Sequence, residues 1–223
     1  MSTFDDPQAV ARYAENPPRL VPGFHDLQRM ALLLLAEQAP ADARILVLGA
    51  GGGLELKVFA DAQPGWSFDG VDPSAEMLRL AEMTTSAHAS RIRLHEGYID
   101  GAPQGPFDGA ACLLTLHFIP RDERLATLRA LHSRLKPGAT FVAAHHSIPG
   151  HAKERALWLS RYAAFAVSSG VPEAQMRNAA EAIAARLPLL SPDEDEALLR
   201  EAGFREVAQF YAAFTFRGWV ARA

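Results

Sequence analysis

The residues best suited to chemistry follow two predicted strands in the first third of the chain. Residues 45–48 are apolar and run into a turn with Gly49, Gly51 and Gly53, and Asp72 follows about one βα unit later. A strand that ends in glycines lets its backbone approach a nucleotide, and an acid that ends the next strand can accept hydrogen bonds from ribose hydroxyls. This pairing predicts a ligand that contains a nucleoside.

The spacing of the glycines indicates which kind of nucleoside ligand fits. A dinucleotide fingerprint, G-x-G-x-x-G/A, that begins at Gly49 needs glycine or alanine at position 54, where this chain has Leu54. NAD therefore fits poorly. A ligand without a pyrophosphate needs no anion site at the helix N-terminus, so the turn has room for a nucleoside with a short amino-acid tail. The alternative is a glycine-rich turn that binds no ligand.

Histidines near the ends of later strands are further candidates, because ligands of open parallel sheets bind outside the carboxyl ends of the strands. His117 follows the fourth predicted strand, and its titration range suits a general base, although a buried structural histidine is the alternative. His145 and His146 end the fifth strand and point to opposite faces, so at most one faces a pocket. With His151 they do not make a plausible zinc site, because adjacent ligands diverge and no second cysteine completes a set. We predict no metal.

Composition limits the classes of protein to which the chain can belong. With 223 residues, of which 49% are hydrophobic and 22% charged, it can bury one large core, which predicts a single domain over residues 1–223. A net charge of -4 argues against a broad nucleic-acid binding surface. A single cysteine, Cys112, and an acidic N-terminus predict a cytoplasmic protein. The longest apolar run, residues 30–36, is far short of the roughly 20 residues that span a bilayer.

Apolar strands that alternate with helices predict a parallel sheet covered by helices on both faces. We predict parallel strands near residues 44–48, 67–71, 91–95, 108–114 and 139–145. Connecting helices are predicted near residues 54–62, 74–86 and 121–135, with Ser74 as an N-cap. Ser191 caps a later helix whose acidic first turn is structural. Residues 204–211 and 214–222 are joined too tightly for a crossover helix, so they must pair antiparallel.

Two further segments lie outside this alternation. Residues 1–40 predict an N-terminal helical lid, with a proline-rich extended segment at 16–24 before a helix at 25–38. Residues 147–190 are too long for a structureless loop and predict a helical cap or a dimerisation insertion, with helices at 152–167 and 172–187. In its first helix, Trp158, Tyr162 and Phe165 form an aromatic stripe, which we expect to pack against the sheet edge or a sister subunit; a cover over the substrate is the alternative.

The glycine turn at residues 49–53, together with Asp72, resembles motif I and the acid after strand two of the class I S-adenosylmethionine (SAM)-dependent methyltransferases. The likeness covers about residues 42–222. It implies an α/β, Rossmann-like methyltransferase fold, a seven-stranded sheet of order 3-2-1-4-5-7-6 with strand 7 antiparallel, SAM as cofactor and S-adenosylhomocysteine as product. The cofactor-binding residues that we predict are Gly49, Ala50, Gly51, Gly53, Asp72, Pro73, Met77, Gly97, Tyr98, Ile99, Leu114 and Thr115. Asp100 lies two residues beyond the usual adenine-edge position, which Tyr98 occupies, and the alternative for it is a turn residue.

Within this class, residues 19–24, 71–74, 114–118 and 213–216 are similar to the carboxy-SAM synthase branch. Enzymes of that branch serve tRNA wobble-uridine modification and remodel the cofactor with prephenate, and the likeness suggests a homodimer. The chain departs from the pattern at Val47, where motif I usually has an acid near the methionine ammonium, and at Leu113, where the synthase has asparagine. Residues 193–199 also lack the arginine that meets the synthase's extra carboxylate, and acids there would repel it.

These departures favour an ordinary methyltransferase that acts on a small molecule. Methyl transfer is then driven mainly by alignment of the acceptor, with His117 as the predicted base. The predicted substrate pocket contains Arg19, Phe24, His146 and Tyr162. Two alternatives stay open: carboxylation of the cofactor, and a protein that binds SAM without catalysis.

Overall fold

Short apolar segments form the sheet, and their directions follow from the connections between them. In the computed structural model, which describes residues 15–223, the strand order is β3-β2-β1-β4-β5-β7-β6. β7 is antiparallel to both β5 and β6, and the remaining neighbours are parallel, which confirms the predicted topology. The strands are β1 (Arg44–Leu48), β2 (Ser67–Asp72), β3 (Ile92–Glu96), β4 (Phe107–Leu113), β5 (Leu135–His146), β6 (Arg205–Ala213) and β7 (Phe216–Arg222).

Helices cover both faces of this sheet because alternate residues of the central strands are apolar on both sides. Ile45 and Val47 face one core cluster and Leu46 and Leu48 face the other. The helices are α1 (Pro17–Leu20), α2 (Phe24–Ala36), α3 (Leu54–Ala62), α4 (Ala75–Thr84), α5 (Arg121–His132), α6 (Ala152–Ser168), α7 (Glu173–Arg186) and α8 (Pro192–Glu201). None of the helices within residues 15–223 has the length and apolar character needed to cross a bilayer.

The N-terminal segment differs from its prediction in two respects. Residues 16–24 are not extended: Pro17 and Pro18 begin the short helix α1, where a missing N–H costs nothing. Helix α2 is a covering layer of the sheet, because its buried residues Leu27 and Leu35 belong to the main core. Residues 1–14 of the predicted lid lie outside the described residues.

The insertion between β5 and α8 forms the two predicted helices, α6 and α7. Ile148, Leu159 and Leu189 form a small separate core, whereas Tyr162 reaches the main one. Tyr162 packs edge-on against Phe216 of β7 with ring centroids 5.8 Å apart, and Phe165 lies at the same centroid distance from Phe214. These two residues of the aromatic stripe therefore pack against β7, which lies one strand inside the sheet edge, and against the connection between β6 and β7.

Local capping signals in the sequence predict the helix starts well. The Ser74 hydroxyl accepts the Met77 N–H at 3.2 Å, and Ser191 and Glu194 form a reciprocal capping box. The end of α5 differs from the prediction, because the helix stops at His132. β5 begins as early as Leu135, which pairs with Phe107 of β4.

Candidate functional site

The glycine turn after β1 lies against the ends of β2 and β4. Gly49 and Ala50 donate their backbone N–H groups to the Val71 carbonyl at 2.8 and 3.0 Å. Gly49 has a φ of +75°, and a Cβ added there would lie 2.0 Å from Thr115 Oγ1. Glycine is therefore required at position 49 both by the left-handed backbone and by the close approach of Thr115.

The Asp72 carboxylate joins this turn to the end of β2. Its Oδ2 accepts the Gly51 N–H and its Oδ1 accepts the Ser74 N–H, both at 2.9 Å. Burial raises the pKa of Asp72, while these two N–H groups oppose the rise. A carboxylate has about four lone-pair sites, so both oxygens can still accept hydrogen bonds from a ligand.

A cavity of about 850 Å³ opens at the carboxyl ends of the central strands. Its volume lies within the range of small-molecule and cofactor sites. Ten of the twelve predicted cofactor residues line it, namely Gly49, Gly51, Asp72, Pro73, Met77, Gly97, Tyr98, Ile99, Leu114 and Thr115. The other two lie behind its wall: Ala50 is fully buried in the main core, and Gly53 is the N-cap of α3.

The described walls of this cavity carry negative but no positive side chains. Asp72, Asp100 and Glu123 line it, and no lysine, arginine or histidine does so among residues 15–223. Two aromatic residues, Tyr98 and Phe118, also line it, with 72% and 47% of their surface exposed. The site therefore suits a ligand that is positively charged and has an apolar ring.

The β4 end of the cavity has an unusual backbone. Leu114 has a φ of +58°, in the left-handed region that non-glycine residues rarely adopt. Its N–H donates to the Ala144 carbonyl at 2.6 Å, and Thr115 Oγ1 donates to the Leu113 carbonyl at 3.1 Å. Such conformations persist where surrounding contacts fix them, and they are frequent at binding sites.

His117 and His146 lie in a buried group, here called the histidine cluster, with Tyr162, Thr215 and Phe216. The His146 N–H points to His117 Nδ1 at 3.4 Å, and His146 Nδ1 lies 2.9 Å from Thr215 Oγ1. Burial lowers the pKa of His146 to about 3, and it also lowers that of His117 well below its usual value. Both imidazoles are therefore neutral at pH 7.

The arrangement of the histidine cluster corrects the prediction that His117 is a general base facing the ligand. His117 is 4% exposed and does not line the cavity. Because Nδ1 faces a backbone N–H, the ring proton lies on Nε2, which then has no lone pair to accept another proton. His117 therefore corresponds to the alternative given from the sequence, a buried structural histidine.

The four residues predicted for the substrate pocket are also absent from the wall of the cavity. Arg19 is exposed on α1. Phe24 is buried in the main core, and His146 and Tyr162 pack edge-on with ring centroids 5.3 Å apart. No group of three or more potential metal-binding side chains occurs within residues 15–223.

Residues 118–127 contain most of the lining that sequence reasoning missed. Phe118, Ile119, Pro120, Glu123, Ala126 and Thr127 complete the cavity on the side of α5. The sequence could have indicated these residues, because they directly follow the fourth strand and ligands of such sheets bind at the carboxyl ends of the strands.

A buried ion pair holds this part of the wall. Arg124 donates through Nη2 to the Ile119 carbonyl at 3.0 Å, and through Nη1 to Asp195 Oδ1 of α8 at 2.8 Å. Burial opposes ionisation of Asp195, but His145, with Nε2 at 3.2 Å, and Arg124 outweigh it and lower the pKa of Asp195. The acidic first turn of α8 therefore does more than favour the helix dipole, because one of its acids is a buried partner of Arg124.

Comparison with known proteins agrees with this geometry. Residues 46–141, which include most of β1, all of β2 to β4 and the cavity residues between them, match a family model described as a methyltransferase domain. This stretch of the chain is therefore similar to a methyltransferase domain. The matched stretch contains Gly49, Asp72, Gly97 and Thr115, which lie at the ends of β1, β2, β3 and β4. The match therefore covers cavity-lining residues from all four strand ends.

Two curated relatives are similar to almost the whole chain. The carboxy-SAM synthase of Chromohalobacter salexigens is 26% identical over 220 residues, which are 97% of this chain and 82% of that protein. The protein of the same name from Pseudomonas aeruginosa is 28% identical over 214 residues, which are 91% of this chain and 86% of that protein.

Solved structures share the fold of this chain. Magnesium protoporphyrin IX methyltransferase from Synechocystis, with bound SAH, has a TM-score of 0.69 at 15% identity over 98% of this chain and 95% of its own. Human N-acetylserotonin methyltransferase, in complex with SAM, has a TM-score of 0.66 at 16% identity over 98% of this chain. The chain spans 57% of the human protein's length. The fold is that of the Rossmann-like methyltransferases.

Proposed function

We propose that the protein binds SAM in the acidic cavity and transfers its methyl group to a small molecule. The observation that carries this proposal is the Asp72 carboxylate, which is bonded to the glycine turn through Gly51 and lines the same cavity as Gly49 and Thr115. An acid and a bare backbone thereby converge on one nucleoside-sized site.

The residues present fit this cofactor. Asp72 would accept from the ribose hydroxyls, and Tyr98, Ile99 and Asp100 would surround the adenine. Cationic groups of the ligand suit walls that carry three carboxylates and no basic side chain among the described residues. When bound, SAM supplies a methyl group on a sulfonium, which is electrophilic without further activation.

The contribution of the protein is then alignment of the methyl acceptor and exclusion of water. Holding two reactants in line removes an entropic barrier that is worth about 7 to 11 kcal/mol in the best cases. The acceptor needs no proton transfer to His117, whose Nδ1 faces a backbone N–H.

The domain organisation and the assembly are proposals from the sequence. Within residues 15–223, neither the N-terminal segment nor residues 147–190 lines the cavity, so we propose one domain over residues 1–223 without assigning the acceptor to these segments. We also propose that the protein forms a homodimer through the insertion, is located in the cytoplasm and has no broad nucleic-acid binding surface.

Carboxylation of the cofactor is the second candidate, because curated relatives that cover most of the chain carry the name carboxy-SAM synthase. The product of that reaction has one more carboxylate than SAM. The acidic walls of the cavity disfavour such a ligand, so we prefer methyl donation.

Mass spectrometry distinguishes these functions. The purified protein is incubated with SAM alone, with SAM and prephenate, and with SAM and a panel of small phenols, amines and carboxylates. Conversion of SAM to S-adenosylhomocysteine with methylation of an acceptor supports the proposal. A carboxylated cofactor that forms only with prephenate would replace it with the synthase function, and failure to bind SAM in calorimetry would exclude both.

A further inference from the structure

The side chain of Arg124 connects three parts of the fold inside the protein. It is fully buried, with 0% of its surface exposed. Its Nε and Nη2 donate to the Ile119 carbonyl at 3.2 and 3.0 Å, Nη2 also donates to the Pro188 carbonyl at 2.9 Å, and Nη1 donates to Asp195. These acceptors lie directly before α5, at the end of the insertion over residues 147–190, and in α8. Arg124 is therefore more than a counter-ion for one acid.

The first of the connected parts is the wall of the cavity. Ile119, Pro120 and Glu123 line the cavity at the start of α5. Pro120 is the N-cap residue of this helix and forms no side-chain capping bond, so the two bonds from Arg124 to the Ile119 carbonyl fix the backbone here. α5 also packs against the short 3₁₀ helix Ile99–Gly101, which lies on the proposed adenine side of the cavity.

The second connected part is the base of the insertion. The Leu190 carbonyl accepts the Ile148 N–H at 3.0 Å and the Ser147 hydroxyl at 3.3 Å, so the two ends of the insertion are joined. Pro188 lies two residues before Leu190, and its carbonyl accepts from Arg124. Among the described residues, none that belongs to the insertion lines the cavity. Arg124 thus joins the insertion to a cavity wall that the insertion does not form.

A guanidinium can transmit a displacement between its partners because it is planar and rigid. Its N–H groups form a fixed fork, so acceptors on different nitrogens keep fixed positions relative to one another. Water cannot replace a lost hydrogen bond at a fully buried group, and a buried charged donor without its partner is costly. The Ile119 carbonyl therefore cannot move far unless Arg124 and the Pro188 carbonyl move with it.

We propose that Arg124 is a positioning residue that couples ligand binding in the cavity to the packing of the insertion. The coupling rests on the proposed function, because it requires a ligand that contacts the wall at Ile119. A bound ligand fixes this wall, the wall fixes Arg124, and Arg124 holds the base of the insertion. Conversely, a contact that orders the insertion favours ligand binding by the same factor.

Calorimetry on Arg124→Lys tests the coupling. Lysine retains the positive charge, but one ammonium cannot reproduce the planar fork that reaches both Ile119 and Pro188. We expect S-adenosylhomocysteine to bind about 5- to 30-fold more weakly to this variant. Arg134→Lys is the matched control, because Arg134 is also buried and donates to a backbone carbonyl, that of Ala130, near the other end of α5. Its affinity should change less than about 3-fold, as for an independent site.

Hydrogen exchange provides a readout that a purely structural role would not change. In the wild type, S-adenosylhomocysteine should slow exchange of the Ile148 N–H at least about 3-fold more than that of the Ser67 N–H. The Ser67 N–H bonds to the Ala43 carbonyl at the amino ends of β1 and β2, so it reports general stabilisation. In Arg124→Lys saturated with ligand, this excess slowing should vanish. A variant that only destabilised the fold would exchange faster in both states and would retain the excess slowing.

The outcomes separate the two proposals. Unchanged affinity in Arg124→Lys, or excess slowing at Ile148 that persists in this variant, would overturn the coupling and leave the proposed function intact. Failure of the wild type to bind S-adenosylhomocysteine would overturn both. If Arg124→Lys does not fold, exchange in the wild type decides, and equal slowing at Ile148 and Ser67 would overturn the coupling.

Discussion

Asp72 Oδ2 accepts the backbone N–H of Gly51 at 2.9 Å, across 21 residues of sequence. This bond joins the loop after β2 to the glycine turn after β1, so the two loops at the candidate site cannot shift independently. The other oxygen, Oδ1, accepts from Ser74 and orders the start of α4. One carboxylate therefore shapes both sides of the nucleoside site.

Replacement of Asp72 tests this relationship. Asp72→Asn should weaken binding of S-adenosylhomocysteine by about 1 to 3 kcal/mol, because charge-assisted hydrogen bonds to the ribose and the turn are lost. Isothermal titration calorimetry measures the change. Asp61→Asn, at an exposed acid on α3, is the control. Unchanged affinity in Asp72→Asn would remove this residue from the site.

The contact between Gly49 and Thr115 predicts a stability effect at the cavity. Gly49→Ala should destabilise the protein by about 2 to 4 kcal/mol, because the new methyl would overlap Thr115 and the left-handed φ disfavours alanine. Urea unfolding measures this change. Gly101→Ala should be close to neutral, since an added Cβ there meets no atom within 4 Å. A neutral Gly49→Ala would show that the Thr115 loop moves freely.

The buried histidines predict a dependence of stability on pH. The pKa of His146 is lowered from 6.5 to about 3, so the unfolded chain binds a proton between these values and the folded protein does not. The stability contribution is complete above pH 6.5 and decreases as the pH falls towards 3. His146→Gln should reduce the slope of unfolding free energy against pH by about 1.4 kcal/mol per unit between pH 4 and 6.

The difference between wild type and variant is the quantity to measure here. Burial raises the pKa of Glu55 to about 8 in the folded protein, so above pH 4.5 this residue lowers the stability as the pH rises. In both the wild type and the variant it therefore partly masks the effect of the histidine on the unfolding free energy. His151→Gln controls for the loss of an exposed imidazole. Parallel slopes for the wild type and His146→Gln would contradict the prediction.

The buried pair of Arg124 and Asp195 predicts a double-mutant result. Arg124→Met should cost about 3 to 5 kcal/mol of stability, because the buried Asp195 would lose its ion-pair partner. The double variant Arg124→Met/Asp195→Leu should recover most of this loss. Arg129→Met, which breaks an exposed pair with Glu201, should cost less than about 1 kcal/mol. Chemical denaturation measures all three, and a double variant as unstable as the single one would contradict the prediction.

Local sequence patterns predicted the fold because each reports a short stretch of backbone. The glycines at 49–53, the caps Ser74 and Ser191 and the tight connection before β7 all act within a few residues of themselves. The strand order followed once those elements were combined with the family likeness. The local pattern failed at Pro17 and Pro18, where an extended segment was predicted and a helix begins. Proline suits both an extended segment and the first turn of a helix.

The sequence by itself determined that a glycine turn and Asp72 end neighbouring strands, since these residues mark strand ends whatever surrounds them. Only the tertiary structure decided that His117 faces His146 and not the cavity, that Arg124 meets Asp195 71 residues away, and that Glu55 is buried. The physical reason is that burial and partners set the charge and access of a side chain. Both depend on long-range packing, which local patterns do not encode.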